Sequence, residues 1–366
     1  MIRKTFKYRL YPTKRQVEIL DGQLAEACRL YNAALQERRD AWRLERKSIS
    51  FYDQSYQLKA IRASGDLGLP TYDIAHDVLA RVDKAFKAFF RRVKEGKGKA
   101  GFPRFRASAR YDSLTHPHGG RDCKIVDGRK VRFSGVGLIR IKLHRPLEGK
   151  PKTLSIKREA GRWFACFSVE QEPKPLLESK ERVGVDVGLA SFATLSDGRE
   201  VENPRYFEAA RMMLRRAQRK VARRKRGGNR RRKAVQVLAR LHSHVRNQRS
   251  DFHHKRAREL VNTYGLIAVE DLNVRGMAQT RFGKSIHDAG WSSFIDKLTY
   301  KAEEAGRKFV KVDPRGTSQR CVCGAEVRKT LADRWHECKS CGLSVSRDRA
   351  SAMEILRLGL SLQAVT

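Results

Sequence analysis

VGVDVGLA, residues 183–190, reads as a short buried strand with one carboxylate, Asp186, among Val183, Val185 and Val187. An ionised group in that setting is partly desolvated and needs a partner. Gly184 and Gly188 bracket it and let a backbone or ligand come close. Two distant segments repeat the theme. GLIAVEDLN, 265–273, is a second apolar strand that ends at Glu270, and VSRDRASAMEIL, 345–356, starts a helix at Asp348. Two strand ends and a helix start can bring these three carboxylates into one cluster. Clustered carboxylates repel, so such a group holds a hard divalent cation such as Mg²⁺. In a strongly basic chain that combination points to phosphodiester cleavage. Asp271 adjoins Glu270 but points to the opposite strand face, so only one of the two can join, and spacing alone does not rank them.

The chain has 366 residues, enough for two or more domains. Lys and Arg number 79 against 40 Asp and Glu, a formal net charge of +39. Such an excess disfavours a compact monomer unless a polyanion neutralises it. The charge is spread along the whole chain, which fits nucleic acid better than an anionic membrane. The opening MIRKTFKYRLYP has no apolar core of a secretory signal. No apolar run approaches the roughly 18 residues needed to cross a bilayer. Four of the seven cysteines fall within 321–341, while Cys28, Cys123 and Cys166 stand alone as expected small core residues. This is a metal-site pattern in a reducing cytosol, and a cytoplasmic, nucleoid-associated protein is expected.

Residues 2–10 alternate Ile2, Phe6, Tyr8 and Leu10 with Lys and Arg, a strand with one wet face. Residues 14–47 carry Val17, Leu20, Leu24, Cys28, Tyr31 and Leu35 at helical spacing. A second amphipathic helix over 72–95 aligns Val78, Val82, Phe86, Phe89 and Val93 and breaks at GKGKAG, 96–101. From 122 to 172 the period returns to two, with Asp127-Gly128 as a hairpin signal. LIRIKL, TLSIKRE and RWFACFSVE follow, so a small antiparallel barrel or sandwich is expected, completed by the N-terminal strand. EPKPLLESK, 172–180, reads as a linker. Beyond 181, strands flank a second hairpin signal at Asp197-Gly198, and 205–262 reads as long helices interrupted at Gly227-Gly228. LIAVEDL and KFVKV are strands around an amphipathic helix at 289–306, an α/β layer.

Cys321-x-Cys323 and Cys338-x-x-Cys341 are each followed by glycine, as in zinc-ribbon knuckles. Four thiolates suit a structural Zn²⁺ with no open position for catalysis. The first knuckle is one residue short, and His336 is a substitute ligand if Cys321 or Cys323 cannot reach. Residues 211–258 hold 19 Lys or Arg and one acid, Asp251. At their centre, Arg223, Arg224, Lys225, Arg226, Arg230, Arg231, Arg232 and Lys233 oppose helix formation unless phosphates lie nearby, so contact with a nucleic-acid backbone is expected. GFPRFR, 101–106, interleaves Phe102 and Phe105 with Arg104 and Arg106. It either clamps a non-duplex strand or anchors the core. His242, His244, His253 and His254 read as surface or RNA-facing. AQTRFGKS, 278–285, lacks the first glycine of a phosphate-binding loop and is not an ATP site.

The chain resembles TnpB, the RNA-guided nuclease of insertion sequences, which is related to compact type V CRISPR effectors. The resemblance runs through KYRLYPTKRQ, GFPRFR, GVDVGL at 184, VEDLNVRGM at 269, KSIHDAGW at 284, TSQRC at 317 and the C-terminal CxC…CxxCG…RD. It implies a multidomain α/β protein, with an RNase H-like RuvC nuclease domain at 175–316 and 343–366 that includes the basic helices, and a zinc ribbon at 317–342. It also implies a wedge β-barrel domain at 1–13 and 96–174, and a helical recognition lobe at 14–95. By the same resemblance Asp186, Glu270 and Asp348 are the catalytic Mg²⁺ ligands, which settles the choice for Glu270. The implied partners are a transposon-derived guide RNA and double-stranded target DNA beside a short flanking motif. The family's last motif usually runs D-R-D-x-N-A-A. Here Ser346-Arg347-Asp348-Arg349-Ala350-Ser351-Ala352 lacks the first acid and the Asn. A guide-bearing repressor without nuclease activity and a transposase that joins DNA ends, or an accessory to one, are the alternative readings.

Overall fold

The computed structural model describes residues 1–96, 100–118, 124–330 and 332–364. The chain divides into two compact units, one running to Gln171 and one from Glu172 onward.

In the first unit the alternation of β1 (Ile2–Tyr11) buries Phe6, Tyr8 and Leu10 and turns the cations outward. Helix α1 (Lys14–Glu45) starts in a capping box. The Thr13 hydroxyl accepts from the Gln16 backbone N–H, and the Gln16 side chain accepts from that of Thr13. Its apolar stripe, Leu20, Leu24, Tyr31 and Leu35, is buried. Helix α2 (Phe51–Ala63) follows, and α3 (Tyr72–Glu95) ends at Gly96 with φ 62°.

Six further strands are β2 (Ser113–His116), β3 (Ile125–Val126), β4 (Lys130–Phe133), β5 (Gly137–Lys142), β6 (Lys150–Glu159) and β7 (Arg162–Gln171). They join β1 in one curled seven-stranded sheet of order β2-β6-β7-β1-β5-β4-β3. The expected hairpin at Asp127-Gly128 is present, with left-handed φ of 51° and 61° in the three-residue loop between the paired Val126 and Lys130. Cys28 is buried and Cys166 half-buried, whereas Cys123 lies outside the described residues.

The second unit is built on a five-stranded mixed sheet of order β10-β9-β8-β11-β12. Here β8 is Arg182–Val187, β9 Ser191–Leu195 and β10 Glu200–Glu202. Helices α4 (Tyr206–Ala222) and α5 (Asn229–Thr263) follow, then β11 (Leu266–Glu270). The short helices α6 (Val274–Met277) and α7 (Gly283–Ala289) precede α8 (Trp291–Glu304) and β12 (Lys308–Val312). A two-stranded ribbon, β13 (Trp335–Glu337) with β14 (Ser344–Ser346), leads into α9 (Arg347–Ala364).

Strands β8, β11 and β12 are parallel, and β9 runs antiparallel to β8. Both faces of this sheet are covered, as parallel strands require. Val183, Val185, Ile267 and Val269 pack with Ala257, Leu260 and Val261 of α5 and with Phe294 and Leu298 of α8. Leu266 and Ala268 face the other way and pack with Ile355 of α9. One expectation is corrected. His253 is not a surface residue but fully buried, stacked on Phe192 at 5.5 Å, with Nε2 2.9 Å from the Ala289 carbonyl. The C-terminal half of α5 lies against the sheet and α8, so the helix is basic on one side only. Burial pushes the His253 imidazole down to about 4, which keeps it neutral in that core.

Candidate functional site

The face of the sheet that α9 covers carries the acids. Gly184 of β8 is in register with Ala268 of β11. A Cβ added at Gly184 would sit 2.0 Å from the Ala352 carbonyl oxygen, and one at Gly359 would sit 2.6 Å from the Ala268 Cβ. Glycine at these two points therefore lets α9 lie directly on β8 and β11. Strand side chains repeat on one face every second residue. Asp186 and Glu270, each two residues beyond a contact point, thus emerge on the α9 face. Asp348 lies four residues before Ala352, one helical turn away on the same helix face.

The electrostatics agree with this placement. Burial pushes Asp186 well above the usual carboxylate range, the negative charges of Glu270 and Asp348 raise it further, and Arg347 opposes them. Glu270 is also raised by burial and partly restored by a hydrogen bond from the buried Thr317 hydroxyl, 2.5 Å from Oε1. Asp271 faces away, its carboxylate exposed and 3.1 Å from Lys311 Nζ. The sheet faces thus separate two neighbouring acids that spacing left unranked. Asp186 and Glu270 on this face, with the Asp348 charge raising Asp186 and Arg347 opposing it, are the carboxylates chemically suited to a hard divalent cation. In the altered last motif, Ala350 and Ala352 are buried where α9 meets the sheet.

The four cysteines form a second candidate site. Their sulfurs all lie within 4.8 Å of one another, with Cys321–Cys341 at 3.6 Å and Cys323–Cys338 at 3.7 Å. A tetrahedral ion with 2.3 Å bonds to sulfur spaces its ligands about 3.8 Å apart, so the fit is close. Among the described residues this is the one group of three or more His, Cys, Asp or Glu with donor atoms so near together. The acids, by contrast, meet through their fields and form no preformed cage.

The short first knuckle still delivers both thiols. Gly324, at φ 90°, donates to the Cys321 carbonyl at 2.8 Å, and Gly342, at φ 76°, does the same for Cys338. His336 is not needed as a ligand. It is buried, and its Nδ1 accepts from Lys329 Nζ at 2.6 Å.

The basic residues crowd the turn between α4 and α5. Arg223, Lys225, Arg226, Arg230, Arg232 and Lys233 are exposed there. Arg224 is half-buried, and Arg231 closes the hairpin by donating to the Val221 carbonyl at 3.2 Å. GFPRFR divides between its two readings. Arg106 is an anchor, its guanidinium 4.8 Å from the Tyr31 ring and its backbone bonded both ways to the Asn32 amide. Phe102 packs edge-on against Phe86 and Phe89, while Arg104 and Phe105 face solvent. Thr317 opens the TSQRC segment, but nothing in the sequence pairs its hydroxyl with Glu270.

Three family models match the chain: "Probable transposase" over residues 166–281, "Cas12f1-like, TNB domain" over 291–355 and "Helix-turn-helix domain" over 1–47. In the structure, residues 1–47 hold β1 and one uninterrupted helix. A Streptomyces pristinaespiralis protein provisionally named an RNA-guided DNA endonuclease is 31% identical, over 99% of this chain and 91% of its own length. Escherichia coli K12 InsQ, with the same provisional name, is 28% identical over 99% of this chain and 93% of its own. The CRISPR-associated endodeoxyribonuclease Cas12f1 of Sulfoacidibacillus thermotolerans is 30% identical over 53% of this chain and 50% of its own. Among solved structures, the mini-RNA-guided endonuclease CRISPR-Cas phi3 shares the fold. It has a TM-score of 0.56 at 8% identity and covers 98% of this chain and 92% of that one.

Proposed function

The chain belongs to the TnpB family, related to Cas12f, and on that premise we propose that it is an RNA-guided DNA endonuclease of an insertion sequence. What supports this reading is the placement of Asp186 and Glu270 on the sheet face under α9, with Asp348 one helical turn before Ala352 on that helix, inside a chain of net charge +39. In this proposal Asp186, Glu270 and Asp348 would hold Mg²⁺, which when bound would supply Lewis-acid activation of water and charge stabilisation at the leaving 3′ oxygen. Asp186 and Glu270 are presented side by side by the β8–β11 register, and Thr317 fixes the rotamer and charge of Glu270. Arg347, whose charge lowers Asp186, helps keep that carboxylate ionised.

The mixed sheet with α9 on one face and α5 and α8 on the other supports a RuvC-type, RNase H-like domain at 175–316 and 343–366. The four-thiolate group supports a structural Zn²⁺ in a ribbon at 317–342. The curled sheet of the first unit and helices α1–α3 are read as the wedge domain and the recognition lobe. The partners in this reading are a guide RNA and double-stranded DNA. The exposed cations at the α4–α5 turn grip phosphates without reading bases, and guide pairing supplies the sequence information.

Cleavage of a guide-matched plasmid tests the proposal. The wild-type ribonucleoprotein should cut in Mg²⁺ and stop in EDTA. Asp186→Ala should abolish cutting and leave RNA affinity within about twofold, because it removes a metal ligand and no phosphate contact. Cutting by Asp186→Ala would overturn the assignment.

A further inference from the structure

The first unit has an open groove of about 1030 Å³ between the C-terminal ends of α1 and α3. Its walls are aromatic. Trp42 is 55% exposed, Phe90 60% and Phe102 45%. Phe102 stands edge-on to Phe86 at 5.6 Å and to Phe89 at 5.3 Å, and Phe90 lies 5.2 Å from Phe89, so these four phenylalanines form one continuous surface and Trp42 lines the same groove. Large aromatic side chains left open side by side mark a recognition surface. The rim carries Arg39, Arg43, Lys47 and Lys87 against a single lining acid, Asp83. Asp83 is already engaged, with Lys87 Nζ at 2.8 Å and Arg38 at 3.5 Å.

A second feature points to a ligand. Arg38 lines the groove and is 8% exposed, with its Nε bonded to Gln54 Oε1 at 2.8 Å. Its Nη2 is buried without a hydrogen-bond partner among the described residues. An orphaned guanidinium N–H calls for an acceptor.

We propose that this groove binds unpaired nucleotides of a single-stranded nucleic acid, with bases stacked on Trp42, Phe90 and Phe102 and phosphates met by the cationic rim. Flat apolar walls with a positive rim complement a chain of bases and phosphates, and they do not complement a duplex, whose bases are already stacked. Arg38, its guanidinium 5.3 Å from the Phe86 ring, adds positive charge beneath that aromatic wall. The site goes beyond the nuclease reading, and it is tested by binding rather than by cleavage.

The test is fluorescence anisotropy on the full chain, wild type and the Trp42→Ala/Phe90→Ala double variant. The probes are labelled uridine and thymidine oligomers, an abasic oligomer of equal length and a blunt duplex. Trp42 and Phe90 are more than half exposed, and an unchanged melting curve confirms the fold of the variant. The proposal expects the variant to lose roughly 5- to 150-fold in affinity per stacked base for one or both base-bearing strands. The uridine and thymidine arms tell an RNA ligand from a DNA ligand. The abasic strand and the duplex should bind both proteins equally. Equal losses on all probes, or no loss on the base-bearing strands, would overturn the proposal. A wild-type dimer that the double variant turns monomeric, with strand affinity intact, would also overturn it and assign the groove to a second copy of the chain.

Discussion

At the residue scale, the chemistry rests on which side chains share a face. Asp186 and Glu270 look alike in sequence, each a carboxylate at the end of an apolar strand, and both are legible there. The exclusion of Asp271 was legible only through the family resemblance and not from spacing, because physically it depends on which sheet face α9 covers. That is fixed by Gly184 and Gly359, where any Cβ would collide with the opposing element. The contact made by Thr317 of TSQRC was hidden for the same reason, since its hydroxyl meets Glu270 only after the chain returns from β12. Its hydrogen bond favours the ionised form of Glu270. Thr317→Val should therefore raise the Glu270 pKa and shift the acid limb of the cleavage pH profile upward. It should also slow cleavage about tenfold at neutral pH, while Thr317→Ser restores both. An unshifted profile in Thr317→Val would show that the contact does not tune the site.

At the element scale, helices α1 and α3 were legible because their apolar residues recur at helical spacing and α3 stops at Gly96, the start of the GKGKAG break. Helix α2 was not. Its buried side chains are Gln54 and Leu58, and Gln54 is held by donating to the Ala34 carbonyl rather than by apolar packing. His253 was misread because a dense run of cations surrounds it in sequence, although the helix turns it toward Phe192 and Phe294. The seating of α9 is the element on which the site depends. Gly184→Ala would drive a methyl group into the Ala352 carbonyl, which belongs to a helix backbone and cannot yield cheaply. We expect a loss of about 3 kcal/mol in stability, measured by denaturant melting, together with loss of cleavage as Asp348 is displaced. A stable and active Gly184→Ala protein would refute this packing account.

At the scale of the whole molecule, a chain of net charge +39 is suited to a polyanionic partner. Among the described residues no helix is long and apolar enough to cross a membrane. Composition alone made this partner class legible, but not the arrangement of the charge. The α4–α5 turn gathers exposed cations that the sequence showed only as a run. RNA affinity should fall steeply between low and moderate salt, because phosphate contacts release counterions. Replacing Arg223, Arg226, Arg230 and Lys233 with Gln should flatten the log–log slope by as much as about four times 0.7 to 0.9, if each contacts one phosphate. An unchanged slope would place the RNA elsewhere.

The central claim is that three carboxylates share one cation site, and thermal melting of magnesium-free protein against pH tests it most directly. Asp186 and Glu270 have raised folded-state pKa values, so their protonated forms favour the fold at acid pH. That stability is lost as pH climbs above the ordinary carboxylate value of about 4 and through the folded pKa values. The account predicts that the wild-type Tm falls over this range and that Asp186→Asn falls less. It also predicts that saturating Mg²⁺ at neutral pH raises the wild-type Tm by several degrees and that of Asp186→Asn by far less. Identical pH curves and identical responses to Mg²⁺ in the two proteins would contradict it.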